Sequence, residues 1–265
     1  MRSLLQSTLL ILFSTALTLL LAEGVAQWYV YQVAERGKLF QPDEQLGWKP
    51  IPNLELTRKN ADGELWTIRT DSDGWRNLFQ NPNSVKRQIM VLGDSYAFGQ
   101  GVNAEERFDA YWADSANIIN LGVMGYGTGQ QVIAAELEKE KLKAGGVILI
   151  FSYYNDLFDL LRSQFTGRSK PRFELVEGAP ELKLHSPEVS WYEWLRDHSY
   201  LFSRLMLLTE QQRSFSESEL LYSIKLYEEV IRQKLIRELG EQVTGLKIII
   251  AYHGLQQFAR PNIKK

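Results

Sequence analysis

Cysteine is absent from this 265-residue chain, so no disulfide framework holds it together. Histidine is scarce: His185, His198 and His253 are scattered, and no Cys/His cluster stands at metal-ligand spacing. Neither sign of charge is in excess. Thirty basic against 32 acidic residues give a net charge of −2, which leaves no basic footprint for nucleic acid. Glycine clusters once, at Gly122, Gly125, Gly127 and Gly129. That is not the G-x-G-x-x-G register, and no Lys-Ser/Thr follows, so neither a dinucleotide nor a P-loop site is expected. No cofactor or metal is predicted. Apolar material is ample: 45% hydrophobic and 12% aromatic residues suffice for the core of one medium domain.

One long run lacks charge altogether. Leu4 to Ala22 is 19 residues dominated by leucine, close to the roughly 20 apolar residues that cross a bilayer as a helix. Arg2 precedes it and Glu23 follows, which predicts a cytoplasmic N-terminus and a domain on the extracytoplasmic side, periplasm or cell surface. Trp28, Tyr29 and Tyr31 then suit an interfacial aromatic belt. The alternative is a cleaved signal peptide, with Gly24-Val25-Ala26 as the small-residue site; the length of the run favours an anchor. The expected organisation is an anchor or signal segment at 1–22, a lead-in at 23–85 and a main domain at 86–265.

Chemistry enters at three short apolar runs, each breaking into small or polar residues. Ile89–Leu92 ends at Gly93-Asp94-Ser95; Ile118–Leu121 leads into Gly122–Gly129; Val147–Phe151 leads into Ser152-Tyr153-Tyr154-Asn155-Asp156. Such runs read as buried strands. Ser95, Gly125 and Asn155 are 30 and 30 residues apart, about one strand, crossover helix and return strand. Three parallel strands would bring a hydroxyl, a glycine N–H and a carboxamide to one sheet edge. Acyl transfer needs that set, a nucleophile with donors for the developing oxyanion. Ala97 stands where G-x-S-x-G requires glycine, so the α/β-hydrolase elbow is excluded.

From about Gln88 onward the chain resembles the SGNH/GDSL hydrolase family. Gly93-Asp94-Ser95 with Gly99 is similar to its first block, Asn120 through Gly125 to its second, and Asn155-Asp156 to its third. The resemblance implies a three-layer α/β/α domain of flavodoxin-like type, a parallel sheet with helices on both faces. It also implies Ser95 as nucleophile, with the Ser95 and Gly125 N–H groups and the Asn155 amide as oxyanion hole. Tyr153 replaces the glycine usual two residues before the asparagine. The family's last block, Asp-x-x-His, matches none of the three histidines. Leu246–Tyr252 reads as a fourth strand, so the expectation is a longer domain of which the base-bearing last strand is missing here. His253, at that strand's end, is the one histidine expected near the same edge.

Outside the blocks, Leu54–Thr57 and Leu65–Thr70 flank Asn60-Ala61-Asp62-Gly63 as a β-hairpin. Anchored SGNH-like proteins carry a similar lead-in, with Gly47-Trp48, Pro52-Asn53 and an Asp-Gly turn. Trp48 and Trp75 are candidates for a groove wall. Residues 158–215, rich in Trp and Tyr and the least regular part of the domain, read either as an insertion or lid over the site or as a helical cap buried on the sheet. A helix is expected at 217–239, with a capping box at Ser214-Phe215-Ser216-Glu217 and an apolar face of Leu220, Ile224, Tyr227, Ile231 and Leu235. Taken together, the expectation is an extracytoplasmic serine carboxylester hydrolase for O-acyl groups of surface glycan or lipid. The alternatives are a catalytically incomplete module that binds acylated glycan or an assembly partner, and an O-acyltransferase of polysaccharide assembly.

Overall fold

The computed structural model describes residues 2–29, 38–60, 62–77, 86–142, 145–152, 156–176, 181–188, 190–209, 216–240 and 243–251. The uncharged run lies within one helix, α1 (Arg2–Tyr29), whose segment Leu4–Tyr29 is long and apolar enough to cross a membrane and has none of its most apolar stretch buried. Two antiparallel hairpins follow. The first joins β1 (Phe40–Asp43) to β2 (Gly47–Pro50), and the second joins β3 (Glu55–Lys59) to β4 (Leu65–Arg69) around the Asn60–Gly63 turn.

The centre is a parallel sheet of β5 (Arg87–Leu92), β6 (Ala116–Asn120), β7 (Gly145–Ser152) and β12 (Val243–Ala251), in the spatial order β12-β7-β5-β6. Between them lie α2 (Ser95–Phe98), α3 (Thr128–Leu137), α4 (Asp156–Asp159), α5 (Trp191–His198), α6 (Tyr200–Thr209) and α7 (Glu217–Val230). Two further hairpins, β8 (Gln164–Phe165) with β9 (Arg168–Ser169) and β10 (Arg172–Leu175) with β11 (Leu182–His185), fill the segment after β7. Among the described residues, the 158–215 segment is thus built of short hairpins and helices.

Alternation divides the sheet's side chains. Met90, Leu92, Ile119, Val147 and Leu149 face a core made with α3 and α7, through Val132, Ala135, Leu226 and Val230. Val91, Ile118, Ile148 and Ile150 face the other way, onto Ala97 of α2 and the turn residues Phe108 and Trp112. Among the described residues, the long helices therefore sit on one face, and the second is covered by short turns. The chain runs from central β5 out to β6, then crosses back to β7 on β5's other side. A reversal of this kind opens a crevice at the C-terminal strand ends.

Helix α7 begins as expected but with a shifted cap: Ser216 is the N-cap, its hydroxyl accepting from Glu219 N, and Glu219 completes the box. Ser214 and Phe215 lie outside the described residues. Of the expected apolar face, Ile231 and Leu235 are buried and Tyr227 packs against the core, whereas Ile224 is exposed and the first turns bury Ser223, Leu226 and Val230 instead. Past Val230 the helix widens into a π-helical turn, Ile231–Arg237. At α-helical pitch, Leu235 and Leu239 would drift about 120° and 160° away from Ser223. The wider turn slows that rotation, and both remain in the core.

Candidate functional site

Ser95 is placed by a tight strand-to-helix corner. A Cβ on Gly93 would lie 2.7 Å from Ala97 Cβ, so only glycine lets the chain fold back this closely. Asp94, buried, N-caps α2 by accepting from Tyr96 N at 3.0 Å. Ser95 is the first helical residue and half-buried. Gly99, at φ +74°, closes the four-residue helix with its N–H on Ser95 O and Tyr96 O.

So short a helix is not stable by itself; it is held from beneath. Arg76 Nη1 donates to Phe98 O at 2.9 Å and Gly99 O at 2.7 Å, and its Nη2 to Thr67 O and Val102 O. Asn120 Nδ2 donates to Ala97 O at 2.8 Å and to Asp109 Oδ2 at 3.1 Å. Arg107 forks onto both Asp109 oxygens and reaches Arg76 O at 2.8 Å. Burial beside Arg107 lowers the Arg76 guanidinium to about 10. The carbonyls at the C-terminal end of α2 thus meet cationic or amide donors, the favourable sign for that end of a helix.

The loop after β6 lies directly on this corner. Gly122 packs against α2, where a Cβ would come within 2.4 Å of Ala97 Cβ and 2.6 Å of Phe98 N. Asn120 Oδ1 accepts from Gly122 N at 2.9 Å, and Val123 N donates to Gly93 O at 3.2 Å. Gly125 follows at φ +79°, with Phe165 so close that a Cβ would stand 2.5 Å from its ring. Phe165 is held there by a two-residue turn with Thr166 at φ +49° and Gly167 at φ +71°. That is the primed hairpin geometry, and it is unusual for a β-branched residue.

Ser95 and Gly125 line one cavity of about 220 Å³. Its apolar walls are Trp48 and Phe165, stacked at 6.2 Å, and Trp48 is locked by Tyr126, whose hydroxyl donates to Trp48 O at 2.6 Å. Full burial holds the Tyr126 phenol far above its ordinary range, so it stays neutral. Asp159 and Arg168 supply the polar wall; burial lowers Arg168 to about 10, with Arg196 adding to the effect. On its other side Ser95 borders an open groove of about 1010 Å³ that runs beneath the β3–β4 turn, past Lys59, Asn60 and Tyr96. Neither the Ser95 N–H nor the Gly125 N–H donates to a protein acceptor among the described residues.

No family model matches this chain, and no curated protein does. Its site therefore stands on its own geometry. Of the three residues expected there, Ser95 and Gly125 share the cavity, whereas Asn155 lies outside the described residues, as does His253. Of the described residues on either side, β7 runs parallel to β5 up to Ser152, and Asp156 opens α4 fully buried, accepting from Gln131 Nε2 at 2.9 Å. His185 pairs with Glu174 at 2.9 Å, and His198 stacks on Trp194; neither lines the cavity or the groove. Trp48 lines the cavity but not the open groove. Trp75 is buried elsewhere, donating to Glu138. Phe165 and Arg168 carry no motif in the sequence; an unusual Thr-Gly turn beside them is their only trace.

Proposed function

We propose that this chain is a membrane-anchored serine carboxylester hydrolase of the SGNH/GDSL type, acting on O-acyl groups of glycan or lipid outside the cytoplasm. The observation that carries this reading is the meeting of Ser95 and Gly125 in one cavity, with neither N–H group donating to an acceptor among the described residues. The strand order, with the first two strands of the sheet reversed relative to the rest, supports a flavodoxin-like reading of the sheet. Arg2 before the apolar run and Glu23 after it support the outward-facing domain.

In this reading Ser95 Oγ attacks the ester carbonyl, and the Ser95 and Gly125 N–H groups serve as donors to the carbonyl oxygen as it gathers charge. Asn155 adds its amide. The carbonyl collapses, the C–O bond to the alcohol breaks, and water hydrolyses the resulting acyl-enzyme. The Ser95 proton passes to a general base and on to the leaving alcohol. In the family that base is the histidine of the Asp-x-x-His block, which does not occur in these 265 residues. The acyl group fits the Trp48–Phe165 cavity, and the alcohol lies toward the open groove. That groove also favours a second reading, transfer of the acyl group to a sugar hydroxyl seated there in place of water.

A fluorophosphonate probe applied to the full chain in detergent tests the proposal. Labelling of the wild type that disappears in Ser95→Ala is the expected result. A folded wild type that takes no label shows that Ser95 is not activated within these residues and favours the incomplete module that binds acylated glycan.

A further inference from the structure

The outer sides of α5 and α6 are apolar where water should meet them. Trp191 is 77% and Trp194 65% exposed on α5; Leu205 is 54% and Leu208 84% exposed on α6. Each pair is three residues apart, so each lies on one side of its helix. Arg204 stands beside them, exposed, with its guanidinium over the Tyr200 ring. Tryptophan, leucine and a flanking cation are the composition of a helix lying in the bilayer interface.

The position of α6 relative to α1 supplies an independent reason. At 1.5 Å per residue, Leu4 to Ala22 spans about 28 Å, which matches the roughly 30 Å hydrocarbon core and leaves Glu23 at its boundary. Glu23 is the residue that caps α6. Its carboxylate accepts from Tyr200 N at 2.6 Å, Leu201 N at 3.1 Å and the Ser199 hydroxyl at 2.7 Å. Gln27 Nε2, one turn on, donates to His198 O at 3.0 Å, at the end of α5. The junction of α5 and α6 is thereby fixed at the depth of Glu23.

We propose that α5 and α6 lie in the interfacial layer of the same bilayer that α1 crosses, with Trp191, Trp194, Leu205 and Leu208 in contact with lipid. This rests on reading α1 as an anchor. It also narrows the substrate class, because α5 holds the cavity wall: Glu193 accepts from Ser169 Oγ and Ser169 N, and Asp197 accepts from Arg168. The cavity stands one helix layer from the lipid, so the esters delivered to it are those carried on lipid, or on glycan still linked to lipid, rather than free soluble esters.

The test reconstitutes the full chain in phosphatidylethanolamine–phosphatidylglycerol vesicles, with and without lipid brominated near the glycerol end of its acyl chains. Bromine quenches the wild-type tryptophan emission. In Trp191→Phe/Trp194→Phe, roughly half or less of that quenching remains, owed to Trp28. Leu205→Glu/Leu208→Glu, which leaves every tryptophan in place, gives a similar loss. Quenching that vanishes in Trp28→Phe but is unchanged in the other two variants overturns the proposal and leaves α1 in the membrane. Quenching absent from the wild type overturns the anchor as well. A concentration-dependent dimer with unquenched Trp191 and Trp194 assigns the face to a second copy and overturns the proposal.

Discussion

Gly122 is the residue on which the geometry of the site is most finely balanced. Its missing side chain is what lets the loop after β6 rest on the backbone of α2. In Gly122→Ala the methyl would meet main-chain atoms that cannot swing aside, so the corner bearing Ser95 must shift. A cost of about 1–3 kcal/mol is expected, read by urea denaturation, with probe labelling of Ser95 reduced further than stability alone explains. Gly146→Ala is the control. Its methyl meets nothing nearer than 3.5 Å, and the expected change stays below about 1 kcal/mol. At this scale the sequence is only partly legible. Ser95 and Gly125, which share the cavity, are visible because turn glycines and a strand-end hydroxyl break apolar runs. Arg76, Arg107 and Asp109 are not, because a buried guanidinium has the same letter as a solvated one.

Among the elements, α2 shows how four residues can be held as firmly as a long helix. Arg107 and Asp109 are almost wholly buried and satisfy each other, and both lean on groups that fasten α2. Arg107→Met leaves the Asp109 carboxylate in the interior with only an amide donor. Breaking a buried pair in this way costs about 3–5 kcal/mol, to be measured as a fall in the urea midpoint, and amide exchange at Phe98 and Gly99 should accelerate with it. The expected helix at 217–239 is instructive in the opposite sense. Its start could be found to within two residues because a capping box has a pattern. Its buried face could be found only in part, because periodicity does not say which side meets the sheet: Ile231 and Leu235 are buried as expected, but Ser223, Leu226 and Val230 are buried where Ile224 was expected. Periodicity sees a helix clearly and its irregularities poorly.

For the whole molecule, the parallel sheet was readable from β-branched runs at regular spacing, and α1 from its uninterrupted leucines. The coverage of the sheet's second face by turns rather than long helices was not, since nothing in a local pattern says which layer an element joins. One global property follows from a group no motif marked. Lys170 is buried, with its Nζ 3.8 Å from Asp159 and no nearer hydrogen-bond partner among the described residues. Desolvation pulls its ammonium below 10.5, against the attraction of Asp159 and Asp156. The unfolded chain therefore binds more protons than the native one between the native value and about 10.4, and stability rises with pH across that window. Urea midpoints of the wild type should climb on the alkaline side until tyrosine ionisation intervenes, and Lys170→Met should flatten the climb. An unchanged slope in the variant would assign the effect elsewhere.

The widened turn at Ile231–Arg237 has a consequence for how this chain can change over generations. A helix that carries one residue more than regular pitch requires has already accommodated the equivalent of a one-codon insertion. Losing a codon there returns it to ordinary pitch with Leu235 and Leu239 still facing inward, whereas the same loss in mid-α7 would turn every later side chain about 100° out of place.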